Sequence, residues 1–180
     1  VRRRAIEITD PLPHLVQQLN EFKPHYLSGY SSILSMLATE QAEGRLSIRP
    51  EALGGGAEPL TPEMKRRIEQ AFRARIFDLY GATEAMAIAV EGDCGALHIV
   101  EDFCVLEPAD ADGKPCPEGA WSEKVLVTNL ANRIMPIIRY ELTDSVRLLP
   151  GPCPCGSPFK RVEVRGRADD TLTLAGPAGI

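Results

Sequence analysis

The chain has 180 residues, of which 44% are hydrophobic and 25% charged, with a formal net charge of -5. Such a balance belongs to a folded globular protein, not a disordered one. The acidic excess, with no basic stripe to offset phosphate repulsion, excludes a nucleic-acid binder, and no window approaches the ~18–20 consecutive apolar residues of a membrane helix.

The basic opening Val1-Arg2-Arg3-Arg4 reads as a solvated end. A start at Val1 rather than Met leads us to expect a piece of a longer protein, and no charged-then-apolar leader of signal-peptide type is present. Asp10-Pro11 predicts a helix start, with the carboxylate as cap. Leu12, Leu15, Val16, Leu19 and Phe22 recur at helical spacing, and Pro24 closes the segment. His25–Leu27 predicts a short strand. Ser31 or Ser32 caps a second helix through Leu37 that Gly44 ends, and the stretch from Ile48 to Leu53 leads into Gly54-Gly55-Gly56. Thr61-Pro62-Glu63 opens a third helix carrying Met64, Ile68, Ala71 and Phe72 on one face. Arg75–Leu79 is then a strand running into Tyr80-Gly81-Ala82-Thr83-Glu84. Strands alternating with helices imply parallel pairing.

After about residue 90 the pattern changes to short strand candidates at 96–100, 103–107, 124–129, 137–140, 146–149 and 161–164. Turns are expected at Asp112-Gly113 and around Pro117-Glu118-Gly119. The expected fold is α/β: a partial parallel α/β layer followed by a small antiparallel β-barrel-like lobe. The expected division is 1–89, 90–165 and a hinge segment at 166–180.

The tract Tyr80–Glu84 sits where an inferred parallel strand ends, and ligand sites of open α/β sheets lie beyond the carboxyl ends of strands. Gly81 permits close backbone approach. The Thr83 hydroxyl can bond a phosphate oxygen, and the Glu84 carboxylate offers Mg²⁺ a hard oxygen ligand. A plain strand-to-loop turn is the alternative.

That tract resembles the aromatic-Gly-x-Thr-Glu motif of the adenylate-forming superfamily. More narrowly, the chain resembles the phenylacetate–coenzyme A ligase family, which includes coenzyme F390 synthetase. Further stretches agree in order: Lys23–Ser32; Gly56-Ala57-Glu58-Pro59-Leu60; Gly95–Asp102; Met135–Tyr140 leading to Thr143-Asp144; and Gly166-Arg167-Ala168-Asp169-Asp170. The resemblance implies that Thr83 contacts the α-phosphate of ATP and Glu84 holds Mg²⁺. It places Tyr80, Gly81 and the loop Gly56, Ala57, Glu58, Pro59 around adenine, Asp144 on the ribose and Arg167 facing the nucleotide, with Asp169 as the hinge to a C-terminal domain. It further implies a small, aromatic carboxylic acid and coenzyme A as substrates and AMP as product. One departure touches the site: Thr143 stands where the family has glycine, so the loop could be displaced, leaving Asp144 a surface turn carboxylate.

A second constellation is metal-like. Cys94 and His98 have C-x₃-H spacing and Cys153 and Cys155 have C-x-C spacing before Gly156, a set suited to a structural Zn²⁺. Free thiols in a proline-rich loop and a strand histidine are the alternative. Cys104 and Cys116 read as packing or incidental thiols, and five cysteines at uneven spacing fit a reduced, cytoplasmic chain. His14 and His25 show no partner at diagnostic spacing. Trp121 reads as barrel core or rim, and adjacent Glu101 and Asp102 point to opposite strand faces and so cannot share acid/base work.

The family's Ser/Thr/Gly-rich phosphate loop and its catalytic lysine are expected outside these residues. The leading expectation is a fragment of an acyl- or aryl-CoA ligase, inactive alone, with a homodimer or a complementing chain as partner. The alternatives are a non-catalytic zinc-stabilised nucleotide-binding or interaction module and a purely structural zinc fold.

Overall fold

The computed structural model describes residues 2–167. They form two compact units that succeed one another between Gly81 and Ala82. The hinge candidate Asp169 lies outside the described residues.

In the first unit, helices α1 (Leu12–Phe22), α2 (Ser31–Ala42) and α3 (Pro62–Phe72) alternate with strands β1 (Tyr26–Tyr30), β2 (Ala52–Gly56) and β3 (Arg75–Ala82). Both β1 and β3 pair with β2 in parallel, as the alternation of helix and strand predicts. The three helices join β2 and β3 in one apolar core. Leu19, Leu34, Leu37, Leu53, Ile68, Phe72 and Ile76 are buried there, and each fully buried side chain of this size adds about 1.5–3 kcal/mol.

Helix starts follow the sequence only in part. Thr61 caps α3, its hydroxyl accepting from the Met64 N–H at 3.2 Å, and Pro62 sits in the first turn where no N–H is needed. At α1, by contrast, Pro11 occupies the cap position and no side chain caps the helix. Asp10 instead pairs with His14 Nδ1 at 3.1 Å and accepts from Gln18 Nε2 at 3.0 Å. Its carboxylate lies one residue too early to reach the free N–H groups. The start of α2 differs too: Tyr30 is the cap residue, and neither Ser31 nor Ser32 serves.

The second unit is antiparallel. β4 (Ala85–Glu91), β5 (Leu97–Ile99), β10 (Arg161–Arg167) and β9 (Asp144–Leu148) pair in that order. β6 (Cys104–Ala109), β7 (Lys124–Asn129) and β8 (Tyr140–Leu142) form a separate three-stranded sheet. Buried Ile88, Ile99, Val125, Val127, Val146 and Val162 make its interior. Two elements differ from the pattern. β4 carries alanines that strands usually avoid, which hid it. The last strand of the small sheet begins at Tyr140 because residues 130–139 are taken up by turns. Asn129 Oδ1 accepts from Ala131 and Asn132 N–H, and Asn132 Oδ1 from Ile134 and Met135 N–H. No helix among the described residues is long and apolar enough to cross a membrane.

Candidate nucleotide and metal sites

Within the first unit, parallel pairing brings the ends of β1, β2 and β3 into register: Gly56 lies between Tyr30 and Leu79. Gly56, Ala57, Glu58 and Pro59 leave β2 at this carboxyl edge, and Tyr80 and Gly81 continue β3 there. All six adenine-side candidates therefore share one edge of the sheet. Gly56 suits a close approach, since a Cβ would stand 3.3 Å from the Leu79 carbonyl oxygen, tighter than an ordinary contact. Ala57 holds φ at 62°, a left-handed conformation costing a non-glycine residue about 1 kcal/mol.

Glu58 has structural work at this edge. Its Oε2 accepts from the Ser32 N–H at 2.9 Å, and its carbonyl oxygen accepts from the Ser31 hydroxyl at 3.3 Å. The carboxylate thus supplies the cap that α2 lacks in its own sequence, at the positive end of the helix dipole. Spacing within α2 could not reveal it, because the residue comes from the next loop.

In the second unit, Thr83 and Glu84 alone separate β3 from β4. Thr83 is exposed and Glu84 half-buried. The Glu84 carbonyl oxygen accepts from Asn129 Nδ2 at 2.9 Å. The Tyr140 phenol neighbours its carboxylate, and hydrogen bonding to that carboxylate and its negative charge push the phenol above its ordinary value. Two hard oxygens, one hydroxyl and one carboxylate, therefore stand side by side on a short turn. That donor set fits Mg²⁺, and a carboxylate with about four lone-pair sites keeps acceptors to spare beside one phenol donor.

Asp144 opens β9 and lies directly opposite Arg167 of β10, so the ribose and nucleotide candidates are cross-strand neighbours. Thr143 is not among the residues with positive φ. Its backbone needs no glycine here, and Asp144 remains in a strand.

The cysteines and histidine converge. One ligand atom from each of Cys94, His98, Cys153 and Cys155 lies within 4.8 Å of all the others. Cys94 Sγ is 3.7 Å from Cys153 Sγ and 4.0 Å from His98 Nε2. Cys155 Sγ is 3.2 Å from Cys153 Sγ and 3.7 Å from His98 Nε2. Tetrahedral Zn²⁺ with bonds of about 2.3 Å holds two sulfurs about 3.8 Å apart, so the cluster has the size of a zinc cage. The topology explains it: the turn after β4 carries Cys94, β5 carries His98, and the loop between β9 and β10 carries the C-x-C pair, with β5 beside β10. Gly95 and Gly156 take φ of 78° and 81° in those turns. Gly92 leaves room for the ring, because a Cβ there would stand 3.1 Å from His98 Nδ1.

The remaining candidates have ordinary partners. His25 Nδ1 meets Glu51 at 3.0 Å, so both it and His14 have carboxylates, brought by folding in one case and one helical turn in the other. Glu101 accepts from the Lys160 N–H at 3.1 Å. Trp121 is half-buried between Arg147 and Arg165, 4.7 and 4.2 Å from its ring centre. Cys104 is buried, which raises its pKa as expected of a packing thiol.

The family described as "AMP-binding enzyme" matches residues 3–120. The chain belongs to the AMP-binding enzyme family. Phenylacetate-coenzyme A ligase of Pseudomonas putida is 34% identical over 172 residues, covering 89% of this chain and 38% of that protein. The enzyme of the same name from Thermus thermophilus is 31% identical with the same coverage. A crystal structure of 2-hydroxyisobutyryl-CoA ligase in the postadenylation state, in complex with 2-HIB-AMP, superposes with a TM-score of 0.79. It is 26% identical and covers 90% of this chain and 36% of its own. The AMP-binding chain described here thus spans well under half the length of these relatives. The adenylate-forming resemblance and the α/β fold class with a separate antiparallel sheet both hold.

Sequence reasoning missed Asn129, Tyr140 and Gly92 and the capping role of Glu58. An Asn-x-x-Asn run between strand candidates was the available signal for Asn129. The others act through contacts that only folding creates.

Proposed function

We propose that this chain is the nucleotide-facing part of an AMP-forming acyl- or aryl-CoA ligase. Its parent protein would join a small carboxylic acid, aromatic by the resemblance, to coenzyme A. The carboxylate oxygen attacks the α-phosphorus of ATP as the bond to pyrophosphate breaks, and the coenzyme A thiol then takes the acyl group and releases AMP. The observation that carries this reading is the Tyr80–Glu84 tract, with its aromatic at the carboxyl edge of a parallel sheet and Thr83 and Glu84 on the following turn, in a chain of the AMP-binding enzyme family.

Tyr80, Gly81 and residues 56–59 supply an edge against which adenine can lie. Asp144 accepts from ribose hydroxyls and Arg167 faces the nucleotide. Thr83 donates to an α-phosphate oxygen and Glu84 holds Mg²⁺, which when bound neutralises charge on the phosphates. Catalysis of this kind rests on holding the reacting atoms in place. A cytoplasmic setting agrees with five free cysteines.

The test is acid-dependent exchange of labelled pyrophosphate into ATP. We expect no exchange above blank from the 180 residues alone. We expect exchange once the chain is joined, covalently or as a complementing chain, to the phosphate loop and lysine-bearing segments of its family, and its loss with Glu84→Gln. Exchange by the isolated chain would overturn its dependence on those segments. Exchange unaffected by Glu84→Gln would overturn the assigned role.

A second reading concerns the Cys/His cluster, carried by its cage-like distances. Cys94, His98, Cys153 and Cys155 hold a structural Zn²⁺ that ties β5 to the β9–β10 loop. Elemental analysis should find about one zinc per chain, as a closed four-ligand site takes. A stably folded preparation without metal would overturn it.

A further inference from the structure

We propose that Asn129 and Tyr140 are positioning residues that together fix the Glu84 carboxylate for its cation. The inference rests on the reading of Glu84 given above and adds what orients it.

Asn129 ends β7 with every side-chain hydrogen-bonding atom engaged. Its Nδ2 donates to the Glu84 carbonyl at 2.9 Å, while Oδ1 accepts from Ala131 and Asn132 N–H at 2.9 and 3.0 Å. Its backbone N–H donates to the Ile137 carbonyl at 2.9 Å. One side chain therefore joins the turn that bears Glu84 to the loop that delivers Tyr140. The far end of that loop is fastened separately. The Arg139 N–H donates to the Thr128 hydroxyl at 3.0 Å, and its guanidinium lies 3.5 Å from the Glu107 carboxylate, with φ at 49°. A non-glycine residue held in that conformation marks a turn determined by its surroundings. The result is that Tyr140 begins β8 opposite Val127 with its phenol a neighbour of the Glu84 carboxylate, while Asn129 holds the backbone of the same residue. Half-exposed on a short turn, an unsupported glutamate would sample several rotamers, and each would have to be given up on binding. Gripping it by backbone and by head leaves one.

The two functions of Asn129 can be separated. Asn129→Asp keeps the acceptor that closes the loop and removes the donor to Glu84. Tyr140→Phe removes only the hydroxyl. Binding of Mn²⁺·ATP to the full natural-length protein, followed by water-proton relaxation enhancement, reads the carboxylate directly without turnover. We expect Glu84→Gln to abolish the enhancement, and Asn129→Asp and Tyr140→Phe each to weaken it about 10-fold or more, the usual effect of losing a partner that orients a metal ligand. Melting temperatures of both variants should fall only modestly, by the one hydrogen bond each gives up. Asn129→Ala, which opens the loop as well, should also lose stability. Wild-type Mn²⁺·ATP affinity in Asn129→Asp and Tyr140→Phe, with Glu84→Gln weakened, overturns the positioning role and leaves the reading of Glu84 standing. Equal affinity in wild type and Glu84→Gln overturns that reading and the inference together.

Discussion

Glu58 shows how one side chain can carry two assignments. The family resemblance places it against adenine, and the structure has it accepting from the Ser32 N–H at the start of α2. The two can be told apart without any ligand. Removing an N-terminal cap costs about 1 kcal/mol. Glu58→Ala should therefore lower the unfolding free energy of the nucleotide-free protein by about that much, read as a lower denaturant midpoint at unchanged m. Glu58→Gln should lower it less, since it keeps an acceptor and loses only the attraction of charge to the helix dipole. Unchanged midpoints in both would leave the residue to the nucleotide alone. What could be read from sequence at this scale was residue type: hydroxyls, carboxylates and thiols suited to phosphate, Mg²⁺ and zinc. What could not was the use of a residue by a distant neighbour. Glu58, Gly92 and Asn129 all belong to that class.

At the scale of elements, the C-terminal end of α2 is held by an ion pair. Glu40, 8% exposed, receives Arg45 through Nε at 2.5 Å and Nη2 at 2.7 Å. Its carbonyl accepts from both Arg45 and Leu46 N–H. The Arg45 hydrogen bonds hold the Glu40 carboxyl below its ordinary value near 4.5, against the opposing effect of burial. A carboxylate whose pKa falls on folding adds stability above its unfolded value and loses it as pH drops through the lower folded value. The stability of the first unit should accordingly decline as pH falls below about 4.5, and Glu40→Gln should flatten that decline. Urea titrations at pH 3 to 6 would show it, and identical slopes in wild type and variant would refute it. Strand-rich elements were the least legible in the sequence. β4 was hidden by its alanines, and β8 starts later than its apolar residues suggest because consecutive asparagine turns consume the segment before it. Helices fared better, since their apolar spacing survives whatever caps them.

Across the described molecule, the two units are built on different principles. The first takes its stability from one core of leucine, isoleucine and phenylalanine shared by three helices and the parallel strands. The second rests on a valine- and isoleucine-lined interior and on the corner where the cysteines gather. If zinc ties that corner, a chelator should act unevenly, because metal-binding free energy is folding free energy only where the ligands are. Hydrogen exchange after chelation should show lost protection in β5, β9 and β10 and retained protection in β1, β2 and β3. Uniform loss, or none, would contradict it. The spacing of Cys94, His98, Cys153 and Cys155 suggested such a site. Only the pairing of β5 with β10 shows why ligands so far apart in sequence can meet.

That separation also bears on how the protein is made. Cys94 and Cys153 lie 59 residues apart, and β5, though it can already pair with β4, cannot pair with β10 until Arg161 and Val162 are in place. Contacts of such long sequence separation form late, since the intervening chain must be closed before they add any stability. On the ribosome, the first unit can collect its core while the cysteine corner is still untranslated. A nascent chain halted before Cys153 would have the core residues of the first unit in hand and a Cys94 still without its C-x-C partners.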